Sequence, residues 1–272
     1  MNTNNQSKGV SLMLLGVNID HIAVLREARK VADPDPLDAL SICKRAGADQ
    51  ITIHLREDRR HMQDHDAKNI IEFSTLPVNL ECAIEPSMID IACTLKPHRV
   101  TLVPEKREEV TTEGGLAIMG EQAKLKEAIK RLQKNEIEVS LFIDPTLEAV
   151  KTSLDLHVEW IEFHTGKYAN IYAMLYTNLS KTPHSIPELE LSRKILKQML
   201  GDELCNLRLL SCEAMERGLR VAAGHGLNMQ NVAEIVEIET IEELNIGQSI
   251  VARSVYVGLE QAILDMKAKL IR

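Results

Sequence analysis

Residues 12–20, LMLLGVNID, open a pattern that the rest of the chain repeats: a short apolar run with branched side chains, ending in polar residues able to do chemistry. The same reading fits QITIHL (50–55), VNLECAI (78–84), RVTLVP (99–104), VSLFID (139–144), WIEFHT (160–165), RVAAGHG (220–226) and ELNIGQS (243–249). Each run has the length and branched content of a strand rather than of a helix. Amphipathic stretches follow them, at 36–46, 64–73, 86–95, 120–134, 146–155, around 187–218, 228–237 and 253–270. Asp144-Pro145-Thr146 and Glu85-Pro86-Ser87 are helix-start signals, because proline fits a first turn whose N–H groups have no intrahelical partner. Eight such alternations predict an α/β chain folded as a single (β/α)8 TIM barrel over residues 12–272. Residues 1–11 read as a disordered extension, and Met13 starts the first apolar run. An open doubly wound sheet is the competitor. It would usually carry a glycine-rich first turn, and neither GxGxxG after the first strand nor a Walker A loop is present.

The formal charge of −8 disfavours general nucleic-acid binding, which needs a basic face, yet leaves room for a local anion site. The five cysteines form no CxxC, which suits a reducing, cytoplasmic location. No apolar run approaches the roughly 20 residues that span a bilayer, so no membrane partner is expected. Two connections are long. Residues 105–119, EKREEVTTEGGLAIM, read as a lid over a site, and 166–187 as an insertion, a further lid or an oligomer contact.

In such a barrel the C-terminal strand ends converge on the site. Here they supply Asn18, Asp20 and His21, then His54 and Arg56, Glu81, Thr111 and Thr112 on the long loop, Glu162 and His164, His225, and Asn245 with Gly247. His54 alone reads equally as a hydrogen-bonded core histidine. Glu81, between Leu80 and Cys82, must face the opposite side from those two and so into the barrel, where an isolated carboxylate is costly. Glu162 and His164 share a face by the same alternation. His225 lies between Gly224 and Gly226, and Gly247-Gln248-Ser249 follows the last strand; turns after strands 7 and 8 are the usual phosphate cradle of this architecture. In the basic run REDRRH (56–61), Arg56 stands two residues past His54, which favours contact with an anion.

The stretches LLGVNIDHIAVLREAR (14–29), ITIHLREDRRH (51–61), VNLECA (78–83), LVPEKREEVTTEGGL (102–116), FHTGKYAN (163–170), VAAGHGLN (221–228) and ELNIGQSIVARSV (243–255) resemble the pyridoxine 5′-phosphate synthase family. That family condenses 3-amino-2-oxopropyl phosphate with 1-deoxy-D-xylulose 5-phosphate, releasing phosphate and water, without metal or cofactor and as a homo-octamer. The resemblance implies that His54 and Glu81 accept protons, that His225 donates one, and that Glu162 stabilises a charged transition state. It further implies that Asn18, Arg29, Gly226, Gly247 and Gln248 hold the aminoketone phosphate, while Asp20, His21, Arg56, His61 and Thr111 hold the deoxyxylulose phosphate. The chain departs from the family at Gln248, where many members carry histidine; the adjacent backbone N–H is expected to keep its phosphate contact. The 166–218 region is also longer and more divergent than in many members. Two other readings compete: a metal-dependent phosphosugar epimerase or isomerase using His54, Glu81, His164 and His225 as ligands, and a non-catalytic phosphometabolite-binding barrel.

Overall fold

The computed structural model describes residues 13–104, 114–118, 120 and 122–272. Thr111, Thr112, most of the expected lid at 105–119 and the 1–11 extension lie outside the described residues. The eight strands close into one parallel barrel in chain order. They are β1 (Leu14–Asn18), β2 (Gln50–His54), β3 (Val78–Cys82), β4 (Arg99–Leu102), β5 (Glu138–Ile143), β6 (Trp160–His164), β7 (Arg220–Gly224) and β8 (Glu243–Ile246), with β8 pairing back to β1. The shell contains α1 (Asp20–Glu27), α2 (Ala39–Arg45), α3 (Asp64–Phe73), α4 (Pro86–Leu95), α5 (Gln122–Lys134), α6 (Leu147–Asp155), α7 (Gly166–Tyr176), α8 (Arg193–Glu216), α9 (Val232–Val236), α10 (Gln248–Val257) and α11 (Leu259–Lys269). Both helices start where anticipated, but only Pro86 occupies a first turn, that of α4; Pro145 precedes the N-cap of α6, Thr146, whose hydroxyl accepts from Ala149 N at 3.2 Å.

Four elements differ from the reading. Helix α1 begins at Asp20, because Asn18 Oδ1 accepts Asp20 N at 2.9 Å and turns the chain at once. Asp20 and His21 therefore enter from a helix N-terminus rather than from a strand. The stretch expected as one helix at 253–270 is two, α10 and α11, and α10 starts already at Gln248. They meet at Gly258, whose φ of +81° ends the first helix at no steric cost. Helix α9 is shorter than its pattern. The 166–187 insertion starts with α7, whose Tyr168, Ile171 and Met174 are buried, so its first half belongs to the shell.

Strand alternation sorts the side chains. Leu15, Val17, Ile51, Ile53, Leu80, Val100, Leu141, Ile161, Val221 and Leu244 are fully buried in the apolar layer beneath the helices. Their neighbours fill the barrel interior, and that filling is polar where barrels usually carry branched apolar residues. Arg99 donates to Glu243 Oε2 at 2.8 Å and to Gln50 Oε1 at 2.5 Å. Its guanidinium stands 3.9 Å from the Trp160 ring centroid, as does that of Arg220. Above this floor Asn245, on β8, ties in β2 and β6 as well as Glu243 of its own strand. Its Nδ2 donates to Glu162 Oε2 at 2.8 Å and Glu243 Oε1 at 3.2 Å, and its Oδ1 accepts from Thr52 Oγ1 at 2.9 Å. Gly16 makes room for it, since a Cβ there would lie 2.0 Å from Asn245 Oδ1.

Arg99 and Glu243 are each 3% exposed, so neither charge can turn to water if the other is removed. Arg99→Met should therefore cost about 3–5 kcal/mol of unfolding free energy, read by denaturant titration. The double variant Arg99→Met/Glu243→Met should recover part of that loss. An Arg99→Met midpoint equal to that of the wild type would show that the pair does not hold the floor together.

Candidate active site

At the C-terminal end of the strands a cavity of about 450 Å³ opens above the polar floor. It brings together His54, Glu81, Glu162 and His225, and with them Asn18, Asp20, His21, Arg56, His61, Gly226, Gly247 and Gln248. Arg29 does not join them; it is exposed on the turn after α1, and the cavity lining does not include it.

One wall rests on Asp20. Its Oδ1 accepts from His54 N at 2.8 Å and its Oδ2 from Asn18 Nδ2 at 2.9 Å, which locks the ends of β1 and β2 together. Ligand atoms of Asp20, His54 and Glu81 lie within 4.8 Å of one another, a donor set that could hold a divalent cation. Of the four side chains considered as metal ligands in the sequence, two thus join Asp20. The other two, His164 and His225, stand against each other with ring centroids 4.8 Å apart.

The basic run 56–61 is built rather than loose. Arg56 is 3% exposed and pairs with Asp58 at 3.2 Å. Partial burial of Asp58 raises its carboxyl pKa, but hydrogen bonds from Arg60 and Arg56 outweigh this and hold it well below the usual range. His61 Nδ1 accepts from Met62 N at 2.8 Å, so in the neutral ring Nε2 carries the proton. Behind it Arg26 makes a buried, two-pronged pair with Asp66 at 2.8 and 2.6 Å and also donates to His61 O.

The opposite wall is the pair of turns after β7 and β8. His225 and Gly226 have φ of +79° and +77°, the first an uncommon conformation for a residue with a Cβ. The buried Thr165 hydroxyl lies 2.6 Å from Gly224 O and 2.7 Å from His225 O, and Asn231 Nδ2 donates to Gly226 O at 3.0 Å. Gly247 caps α10, and Ser249 Oγ donates to Leu227 O at 2.7 Å, tying the two turns into one cradle at a helix N-terminus.

Between the walls sits Glu162, 3% exposed. Burial, then the negative charge of Glu243, raise its pKa from 4.5 to about 7, against the opposing Asn245 hydrogen bond and Arg99 charge. A carboxyl so placed can hold or release a proton near neutrality. The sequence pointed to Glu162 but not to Asn245 as the hub that sets it; the Glu243-x-Asn245 alternation on β8 was the available signal. Nor did it show the strain at His225, which GHG hinted at.

The pyridoxal phosphate biosynthesis protein PdxJ family matches residues 15–272. A pyridoxine 5′-phosphate synthase from Sulfurovum sp. is 80% identical over 258 residues, covering 95% of this chain and all of that protein. The Aliarcobacter butzleri protein of the same name is 67% identical over 94% of this chain and 98% of its own. Among solved structures, KGPDC from Streptococcus mutans superimposes with a TM-score of 0.58 at 12% identity, covering 96% of this chain and 98% of that one. Phosphoribosyl anthranilate isomerase from Thermus thermophilus gives 0.53 at 12% identity, over 95% and 98%. These two share the barrel alone.

The environment of Glu162 fixes a sign for stability. Below about pH 4.5 the carboxyl is protonated in folded and unfolded chains alike, and that stability is fully present; between there and about 7 only the folded chain keeps the proton. Stability should therefore fall as pH rises through that window. Glu162→Gln should remove this fall, so wild type should lose on the order of a few kcal/mol relative to the variant between pH about 5 and about 8. Parallel profiles in denaturant titrations would show an ordinary carboxyl.

Proposed function

The chain belongs to the PdxJ family of pyridoxal phosphate biosynthesis proteins, and we propose that it is a pyridoxine 5′-phosphate synthase condensing 3-amino-2-oxopropyl phosphate with 1-deoxy-D-xylulose 5-phosphate. The observation that carries this reading is the convergence of His54, Glu81, Glu162 and His225 on one cavity beside a glycine-rich anion cradle. Imine formation, loss of water, phosphate elimination and enolisation each move protons, and they call for several acid–base groups at different pKa values in one pocket. In this reading His54 and Glu81 accept protons and His225 donates one. Glu162 stabilises positive charge when ionised. The aminoketone phosphate sits against Asn18, Gly226, Gly247 and Gln248, where helix α10 presents its first N–H groups. The deoxyxylulose phosphate meets Asp20, His21, Arg56 and His61, and Thr111 from outside the described residues. Arg29 stays in the proposal on the family resemblance alone.

Cytoplasmic placement and a homo-octamer belong to the same reading. Among the described residues no helix is long and apolar enough to cross a membrane. Exposed apolar side chains at Leu25, Val31, Val255 and Tyr256, the last 88% exposed, support assembly.

Glu81→Gln keeps volume and most hydrogen bonding but cannot accept a proton. Incubating purified protein with both phosphates should generate pyridine absorbance, and Glu81→Gln should lower turnover by about 10²–10⁴-fold at an unchanged melting temperature. A fully active Glu81→Gln would remove the assigned base. The Asp20, His54 and Glu81 cluster favours one rival, a metal-dependent phosphosugar isomerase. Turnover of a phosphosugar that is abolished by chelator, without pyridine formation, would decide for it.

A further inference from the structure

His164 has no role in the function proposed above, yet its surroundings are built as carefully as those of any residue in the cavity. It is 6% exposed and lines the cavity from the end of β6, two residues past Glu162. Its Nδ1 is 3.2 Å from Asp144 Oδ1, at the end of β5. The same oxygen accepts Gly115 N at 2.9 Å, and Leu116 N donates to Phe142 O at 2.7 Å, so the carboxylate is anchored by backbone on one side and by the imidazole on the other. The Phe142 ring packs edge-on at 5.2 Å and the His225 ring at 4.8 Å. Gly166 leaves space for the imidazole, since a Cβ there would come within 2.5 Å of Nε2.

An ionised carboxylate only accepts, so Nδ1 carries the proton and Nε2 is left as an acceptor. That Nε2 is buried and finds no hydrogen-bond partner among the described residues. A histidine serving only to fill the core would have its second nitrogen satisfied, because an unpaired buried polar atom costs stability. Here the orphaned acceptor belongs to a ring that lines the cavity next to His225.

We propose that His164, oriented by Asp144, is a further catalytic residue that takes a proton from the substrate amine nitrogen during condensation. The inference rests on the function proposed above. When an amine adds to a ketone, the nitrogen pair forms the C–N bond and the carbonyl pair moves to oxygen. For each proton the nitrogen then loses, the oxygen gains one, until it departs as water with the C–O pair and the nitrogen pair closes C=N. His164 Nε2 takes the nitrogen's proton, whose bonding pair returns to nitrogen, and the Asp144 carboxylate holds the imidazolium that forms. His225 supplies the proton to oxygen, and transfer of one proton from His164 to His225 resets both rings.

The test is steady-state kinetics on the full chain with both phosphates. His164→Gln should lower kcat by about 10²–10³-fold with KM changed only a few-fold, the pattern of a group acting in the transition state. Asp144→Asn should lower kcat by about 10-fold, and adding it to His164→Gln should lower kcat little further, because the two side chains act as one unit. A His164→Gln kcat within about two-fold of wild type, or effects of the two changes that multiply, would overturn the proposal. Should His164→Gln fail to fold, Asp144→Asn decides, since its side chain is half exposed and not a core element. A wild-type kcat in that variant would sink the proposal. A wild-type chain that turns over neither phosphate overturns the synthase reading and this one with it, whereas an active wild type beside an active His164→Gln overturns this one alone.

Discussion

Charge buried inside the barrel is the constraint on which the rest of the structure depends. A closed eight-stranded barrel points alternate side chains at its own axis, and this chain places arginine, glutamate, glutamine and asparagine there. Buried ions of this kind persist only when paired and hydrogen-bonded. Arg99 is the cation that makes the arrangement tolerable. It binds Glu243 and Gln50 directly and reaches Glu162 through Asn245 and through its field. The floor and the site above it are consequently one electrostatic unit. Glu243 is close enough to raise the pKa of Glu162, and Arg99 is close enough to restrain the rise.

A second constraint is the shape of the rim. His225 is held in a left-handed conformation by hydrogen bonds to its own carbonyl and to those on either side, from Thr165 below and Asn231 beyond. Asn231 is itself fixed by Asn228, and its carbonyl accepts from the Tyr168 hydroxyl at 2.6 Å. Helix α7 therefore does more than cover the barrel: its first turns brace the turn that carries His225. Strain distributed in this way survives because several partners over-determine it.

The acidic net charge and the anion-binding character of the cavity do not conflict. Acidic residues near the site are largely engaged with cations or amide N–H groups: Asp58 with Arg56 and Arg60, Asp66 with Arg26 and Gln63 N, Asp20 with His54 N and the Asn18 side chain. The cradle at Gly226 and Gly247 relies on backbone N–H groups, which carry partial positive charge whatever the sum over the chain. A local field set by oriented dipoles and held arginines outweighs a remote surface excess screened by salt.

The order of strands and the rim they expose were legible in the chain, because a parallel barrel needs apolar alternate positions and polar strand ends, and both are linear patterns. ITIHL, VNLECAI and WIEFH placed His54, Glu81, Glu162 and His164 on the inward face without any coordinate. Helix boundaries were less legible where a single residue decides them: Gly258 splits one amphipathic stretch in two, and Asn18 ends a strand early by hydrogen-bonding to Asp20. What only the tertiary structure decided was which polar groups meet. Asn245 joins Thr52 and Glu162 from two strands far apart in sequence, and Asp144 reaches His164 and Gly115 across two connections. Alternation fixes the direction of a side chain but not its partner. The partner depends on how far each strand is shifted against its neighbour as the barrel closes, and that shift is settled by packing around the whole ring.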